Sequence, residues 1–395
     1  MTRPTRSAFG LAFLLSIILV LIPAAALLTA AYGDDDAKAE IKIGRKAAEE
    51  VEKAHKLTAD PQVVERVTKI GEAVAKVANS VEVKASYGSA EIKQFQYTFK
   101  VLDEEGVNAF SLPGGFVYVH EGLLDYVQSD HELAGVIAHE VAHASHHHMV
   151  RLLKEQSKLD SHIALVLLAG LLGNADTADL GNILIGAQLV KIARVSGYGQ
   201  KAEADADSTA VAYMIKAGYN PVGLLTFMER LARDYATKPQ VDMGIFQTHP
   251  PSRDRAREIV SRIKALGLPM KRREVTNAIK ATAELVTSEG QPIMQVKLGG
   301  DILFEPAPIA DKLTSQQRAE VIVTKVNQFL DSEPPLREIR LSRNKKAVLA
   351  AAEPVIVVTD EDAAFKKQPA EELAKQAAEV LKRVVWREWI ERVYW

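Results

Sequence analysis

The chain reads as an α+β protein: a mainly helical domain with a small antiparallel sheet, followed by a C-terminal α+β accessory domain. Three observations predict this. Apolar residues recur at helical intervals through most of the first part, one short stretch alternates strictly, and beyond residue 271 strand-like apolar runs alternate with helical ones. At 395 residues there is room for two domains. We place an N-terminal export segment at 1–33, the first domain at 34–270 and the second at 271–395.

Composition excludes several function classes. The 49 basic and 51 acidic residues nearly cancel, so the chain carries no charge footprint for nucleic acid. It has no cysteine, which removes disulfides, thiolate metal ligands and a lipid-modified N-terminal cysteine. Arg3 and Arg6 precede an apolar run from Ala8 to Ile22, then Pro23 and small residues to Ala31-Tyr32-Gly33 before three aspartates. That pattern is an export signal with a small-residue cleavage site, placing the folded part in the periplasm or outside the cell. The alternative is an uncleaved anchor, because the run continued to Ala31 is just long enough to span a bilayer and would tie the protein to the membrane.

From Ala37 to Asn79 the pattern is helical, with Pro61 separating two helices. Phe95, Tyr97, Phe99 and Val101 alternate with polar residues as in a half-buried strand, and Phe116 to His120 reads as a second. Between them, Asn108 to Gly115 carries the proline and glycines of a turn or sheet edge. Such an edge can hold an extended peptide by main-chain hydrogen bonds, and a plain hairpin explains it equally well.

The next helix carries the chemistry. Ser129 and Glu132 are placed as a capping box, and His139-Glu140-Val141-Ala142-His143 follows. At 3.6 residues per turn His139 and His143 lie about 40° apart around the axis, so both imidazoles can reach one metal ion. Glu140 sits in the middle of the apolar stripe of Leu133, Val136, Ile137, Val141 and Ala144, where an unpaired carboxylate is costly. A solvated face therefore fits poorly, and a general base beside zinc fits well. His131-Glu132 is a decoy, since Gly135 stands where a second ligand would have to be. His146, His147 and His148 fall at the helix end, near the site or in solvent, and are not assigned as ligands.

Ile163 to Leu172 is apolar but too short to cross a bilayer, and Asn182 to Arg194 reads as an amphipathic helix. A further helix opens at Ala202 and ends at Gly218, with Glu203 and Asp207 on one face. By itself such a pair is a solvated acidic face. Two histidines need a third ligand, however, and Glu203 can supply it, with Asp207 hydrogen-bonding the other ring nitrogen of His139. Asp205 points elsewhere. His249, held before two prolines, can face the cleft and donate to an oxyanion, or simply start the helix after Ser252.

In this order the motifs resemble the HtpX-like and CaaX-prenyl-protease-like zinc metalloendopeptidases, a gluzincin family. They run from Asn108-Ala109-Phe110 with Leu112-Pro113-Gly114-Gly115, through His139 to His143 and Glu203 with Asp207, to His249-Pro250 with Arg255. The resemblance implies one zinc ion per chain held by His139, His143 and Glu203, with Glu140 as base and then proton donor. It puts His249 at the cleft, where it modulates the site or touches the metal, and Asn108, Phe110 and Arg255 at the substrate. The substrate it implies is a peptide or unfolded protein. An assembly factor with a mainly structural zinc site is the alternative.

Beyond Lys271 the resemblance stops. Thr282–Val296 and Ala347–Val358 read as strands, Ser315–Leu330 and Pro369–Val393 as helices. Leu298-Gly299-Gly300-Asp301 and the helix after Thr314 distantly resemble an extracytoplasmic module of some mechanosensitive-channel-type proteins. Trp386, Trp389 and Val393 share a helix face, expected to dock on the domain's own sheet, and a protein partner is a candidate occupant of this domain.

Overall fold

The computed structural model describes residues 36–157, 199–237, 249, 253–277, 279–288, 290–310, 312–332 and 335–393. The export segment, the Ile163–Leu172 and Asn182–Arg194 stretches, Pro250 to Ser252 and Trp395 lie outside the described residues. No helix among the described residues is long and apolar enough to cross a membrane.

Two helices open the description, α1 (Asp36–Ala54) and α2 (Pro61–Ala78). The break between them is local: Pro61 takes a first-turn position, where its missing N–H costs nothing, and the Asp60 side chain accepts from the Gln62 amide at 2.8 Å. Strands β1 (Thr98–Leu102), β2 (Ala109–Leu112) and β3 (Phe116–His120) form a sheet in the order β1-β3-β2.

This sheet corrects two expectations within the α+β class. It is mixed rather than antiparallel, because β1 pairs parallel with β3 while β2 pairs antiparallel with it. The reason is the Gly114-Gly115 turn, where φ values of 79° and 91° let β2 fold straight back onto β3 and leave only the other edge of β3 to β1. The first strand also starts later than the alternation suggests. Phe95 is buried, but its N–H and C=O pair with the side chain of Asn79 at 3.2 and 2.9 Å instead of with a strand.

Short helix α3 (Glu121–Tyr126) leads to the motif helix α4 (Asp130–Ser145), capped by Ser129 accepting from the Glu132 amide. Glu132, the other member of the expected capping box, accepts from the Gln128 amide at 2.7 Å. Helix α4 is buried from Glu132 to Ala144, packing against α2, β2 and a later helix, α6 (Gln200–Lys216). Between them α5 (His148–Ser157) leaves α4 through a turn at His147 with φ 57°. Helix α6 (Gln200–Lys216) ends at Gly218, whose φ of 84° is the left-handed conformation that stops a helix. Helices α7 (Val222–Thr237) and α8 (Arg253–Ala265) follow.

By packing the chain divides into two units, Met1–Leu224 with Pro239–Ile259, and Leu225–Lys238 with Val260–Trp395. In the second unit, after a short helix α9 (Arg272–Val275), lie two three-stranded antiparallel sheets. They are formed by β4 (Ala281–Ser288), β5 (Gln291–Leu298) and β6 (Asp301–Phe304), and by β7 (Ile339–Leu341), β8 (Ala347–Ala350) and β9 (Glu353–Val357). Their shared core takes Val296, Leu298, Val348 and Ile356 from the strands and Val326, Phe329, Leu381 and Val384 from helices α10 (Ser315–Asp331) and α12 (Ala370–Val393), with the short α11 (Asp360–Lys366) between these in the chain. The Gly299-Gly300 pair, both at positive φ, closes β5 onto β6. Trp386 is 51% exposed, so it does not dock on the sheet as expected. Alanines 374, 377 and 378 and Leu381 take the inner face of α12 instead.

Candidate metal centre

One turn of α4 sets His139 and His143 side by side, with their Nε2 atoms 3.0 Å apart. Helix α6 brings Glu203 to them. Its Oε2 lies 3.4 Å from His139 Nε2 and its Oε1 3.5 Å from His143 Nε2. A fourth donor comes from outside any helix: His249 Nδ1 is 3.3 Å from His139 Nε2 and 3.0 Å from Glu203 Oε1. All four side chains are buried.

These separations fit a metal ion. Four donors at 2.0–2.1 Å around a tetrahedral ion lie about 3.3 Å from one another, which is the spacing found. The electrostatics agree. Burial opposes charge on His139, yet the adjacent Asp207 and Glu203 outweigh it and push the imidazole up to about 9. Burial likewise opposes ionisation of Glu203, but Arg255 and His249 hold it well below the usual carboxylate range. The pocket thus demands positive charge. His143, by contrast, is driven well below the usual imidazole value by burial and then by His139 beside it, which leaves a neutral nitrogen suited to ligation.

A second ring of groups fixes the donors. Asp207 Oδ1 lies 3.0 Å from His139 Nδ1, the carboxylate backing that orients a metal-ligating histidine. Arg255 donates to both oxygens of Asp207, at 2.7 and 2.8 Å, and its Nη1 lies 2.7 Å from Glu203 Oε2. Arg255 was expected at the substrate; its guanidinium is buried behind the donors and bridges two carboxylates instead. Phe110, with the same expectation, turns its ring inward to stack on Tyr118 at 5.2 Å, because β2 is buried along its whole length. Asn108 is buried just before β2, its carbonyl accepting from the His120 amide.

Glu140 stands outside the donor set and beside it. Its Oε1 is 3.2 Å from His249 Nε2, and its Oε2 accepts from the Ser111 hydroxyl at 3.1 Å. Burial raises its pKa, although His249 and His139 pull the other way. Ser111 escaped the sequence reading, since a serine in a strand carries no signal of its own. The histidines at the end of α4 are neither solvent groups nor donors to this set: all are buried, with His147 against Glu40 at 2.7 Å and His146 against Asp205 at 2.6 Å. Asp205 therefore points at a partner that periodicity could not place.

With the site in view, comparison with known proteins is decisive, because the profile of Peptidase family M48 matches residues 65–263. The chain belongs to peptidase family M48. The family is one of peptidases, as the resemblance implied. Similar proteins include the beta-barrel assembly-enhancing protease of Yersinia pestis, 28% identical over 48% of this chain and 37% of that protein. Metalloproteases LoiP and YcaL of Escherichia coli K12 are 28% and 29% identical, over 60% and 51% of this chain and 85% and 73% of theirs. The M48 chain spans little more than a third of the beta-barrel assembly-enhancing protease of Yersinia pestis. Residues 295–388 match a domain of unknown function, DUF8459.

The charge arrangement has a measurable consequence for metal-free protein. Glu203 and Asp207 have depressed native pKa values, so their contribution is complete above the unfolded values of 4.5 and 3.8 and is lost as pH falls below them. His139 has the opposite sign: its contribution is complete below 6.5 and is lost as pH rises through about 9. The urea midpoint of metal-free protein is expected to fall on both sides of this window. A flat profile from pH 3 to pH 9, measured by circular dichroism, would contradict the assignment.

Proposed function

We propose that this M48 protein is an exported, zinc-dependent endopeptidase that hydrolyses peptide bonds in unfolded or misassembled extracytoplasmic proteins. One observation carries the proposal: a buried four-donor set at metal spacing, with a desolvated carboxylate touching it that is not one of the donors. Zinc, when bound to His139, His143 and Glu203, polarises a carbonyl and makes a water more acidic. Glu140 takes the proton from that water and delivers it to the leaving amine, a role its raised pKa suits. Ser111 holds the carboxylate in place from β2.

Since β2 ends the sheet order, its outer edge is where an extended peptide would add as a further strand beside the base. The main chain from Asn108 to Leu112, rather than the buried ring of Phe110, makes that contact. His249 Nδ1 lies among the donors and its Nε2 is 3.2 Å from Glu140 Oε1, so the ring stands at the reacting centre. His249 is the one donor not carried on a helix. From the reacting centre it would donate to the oxyanion that forms as water attacks the carbonyl.

The export pattern at residues 1–33 and the assembly-enhancing name of the Yersinia pestis relative support the choice of substrate class. The test is metal analysis of the purified protein together with casein degradation. One zinc per chain, loss of degradation with chelator and its return with zinc are expected; degradation indifferent to chelation would overturn the reading. A second reading, an assembly factor acting through its C-terminal unit, is favoured by the apolar groove there, where Val321 and Val357 are 49% and 51% exposed. It predicts that a Glu140→Gln protein still rescues a deletion strain.

A further inference from the structure

Beside the donor set the described residues hold a second buried cluster, His146, His148 and Asp205. Either it binds a cation of its own or it is a hydrogen-bonded support. The distances favour the support. His146 Nδ1 and Asp205 Oδ2 are 2.6 Å apart, much closer than the about 3.3 Å of two donors around one ion. Asp205 Oδ1 is already taken, accepting from the Ser86 amide, the Ser86 hydroxyl at 2.8 Å and the Tyr87 amide at 3.1 Å.

The cluster reaches the metal centre through His148. Its Nδ1 lies 2.9 Å from His143 Nδ1, while its Nε2 is 3.1 Å from both Asp205 Oδ2 and the Tyr87 carbonyl. An ionised carboxylate and a carbonyl can only accept, so His148 Nε2 carries the proton. In the neutral ring Nδ1 then accepts, and the group opposite it, His143 Nδ1, must donate. That leaves the lone pair of His143 on Nε2, facing the donor set. A straight helix would not allow the contact, because residues five apart lie about 140° round the axis. The turn at His147, with φ 57°, ends α4 and swings His148 back over His143.

We propose that His148, oriented by Asp205 and the Tyr87 carbonyl, is a positioning residue that fixes His143 in its metal-ligating tautomer. It does for His143 what Asp207 does for His139, but with a neutral acceptor in place of a carboxylate. The inference rests on His143 being a ligand, as proposed above.

The test compares His148→Phe, which keeps the ring volume and loses the acceptor, with His148→Gln, which keeps an acceptor oxygen. Both are made in the full chain alongside His143→Ala. Zinc affinity is read by competition with a chromophoric chelator, and ligand geometry by the visible absorption of the cobalt-substituted protein. His148→Phe is expected to lose about 10–100-fold in zinc affinity and to shift the cobalt bands, with His148→Gln recovering most of both. Equal zinc affinity and cobalt spectra in wild type and both variants would overturn the positioning role. So would a second bound ion lost on substitution of His146. A wild type that binds no metal, or His143→Ala binding as well as wild type, would instead overturn the reading of the centre itself. If His148→Phe does not fold, His148→Gln against wild type decides: loss of affinity beyond tenfold despite the retained acceptor refutes the tautomer argument.

Discussion

Glu140→Gln is expected to lower peptide hydrolysis by about 10²–10⁴-fold while leaving zinc content at one per chain. The amide keeps the size of the side chain and the contact with Ser111, and Glu140 is not among the four donors, so binding of the ion has no reason to change. What disappears is the ability to take a proton. The same group sets the acid side of the pH profile. Because burial raises its pKa, the base form is lost at a higher pH than the ordinary 4.5 of a glutamate, and kcat/KM falls as pH drops through that raised value. Steady-state rates on an unfolded substrate and metal analysis check both halves. Undiminished hydrolysis by the glutamine variant would remove Glu140 from the mechanism.

The second large effect is on stability. Arg255→Ala leaves Glu203 and Asp207, both buried and ionised, without the cation that bridges them. Breaking a buried pair in this way costs about 3–5 kcal/mol, a large share of the 5–15 kcal/mol typical of a folded domain. Arg255→Lys should recover little, since an ammonium cannot make the paired bonds to Asp207 and still reach Glu203. Urea unfolding of metal-free protein measures the loss, which should shrink when zinc is supplied, because the ion neutralises Glu203 from the other side. A loss below about 1 kcal/mol would mean that water reaches the carboxylates.

The parts of the site that were readable from sequence are those set by a single helical period. His139 and His143 are four apart, and so are Glu203 and Asp207, so each pair shares a face whatever the tertiary fold. The unreadable parts depend on a chain break or on depth. Asp205 appeared to point away because its partners, His146 and His148, flank a left-handed histidine, His147, and no pattern announces such a turn there. Arg255 was placed at the substrate by the resemblance; that it is buried against Asp207 and Glu203 follows only from the tertiary fold. In the same way the alternation of Phe95 to Val101 located a strand but could not show that the side chain of Asn79 takes the place of a strand partner at Phe95. The C-terminal strands and helices were placed correctly in outline, and the exposure of Trp386 was not, since two faces of α12 compete and alanines fill the inner one.

The donors and their supports are drawn from far along the chain: His139 meets His249 across 110 residues, and Arg255 meets Asp207 across 48. Closing loops of that length is slow compared with forming α4 or α6 individually. A polypeptide lengthening from its N-terminus has both histidines of the motif long before it has His249 or the guanidinium that keeps Glu203 ionised. Until those arrive the two imidazoles and Glu140 are ordinary side chains of an amphipathic helix. The order of the residues alone thus keeps the centre incomplete while the chain is being made.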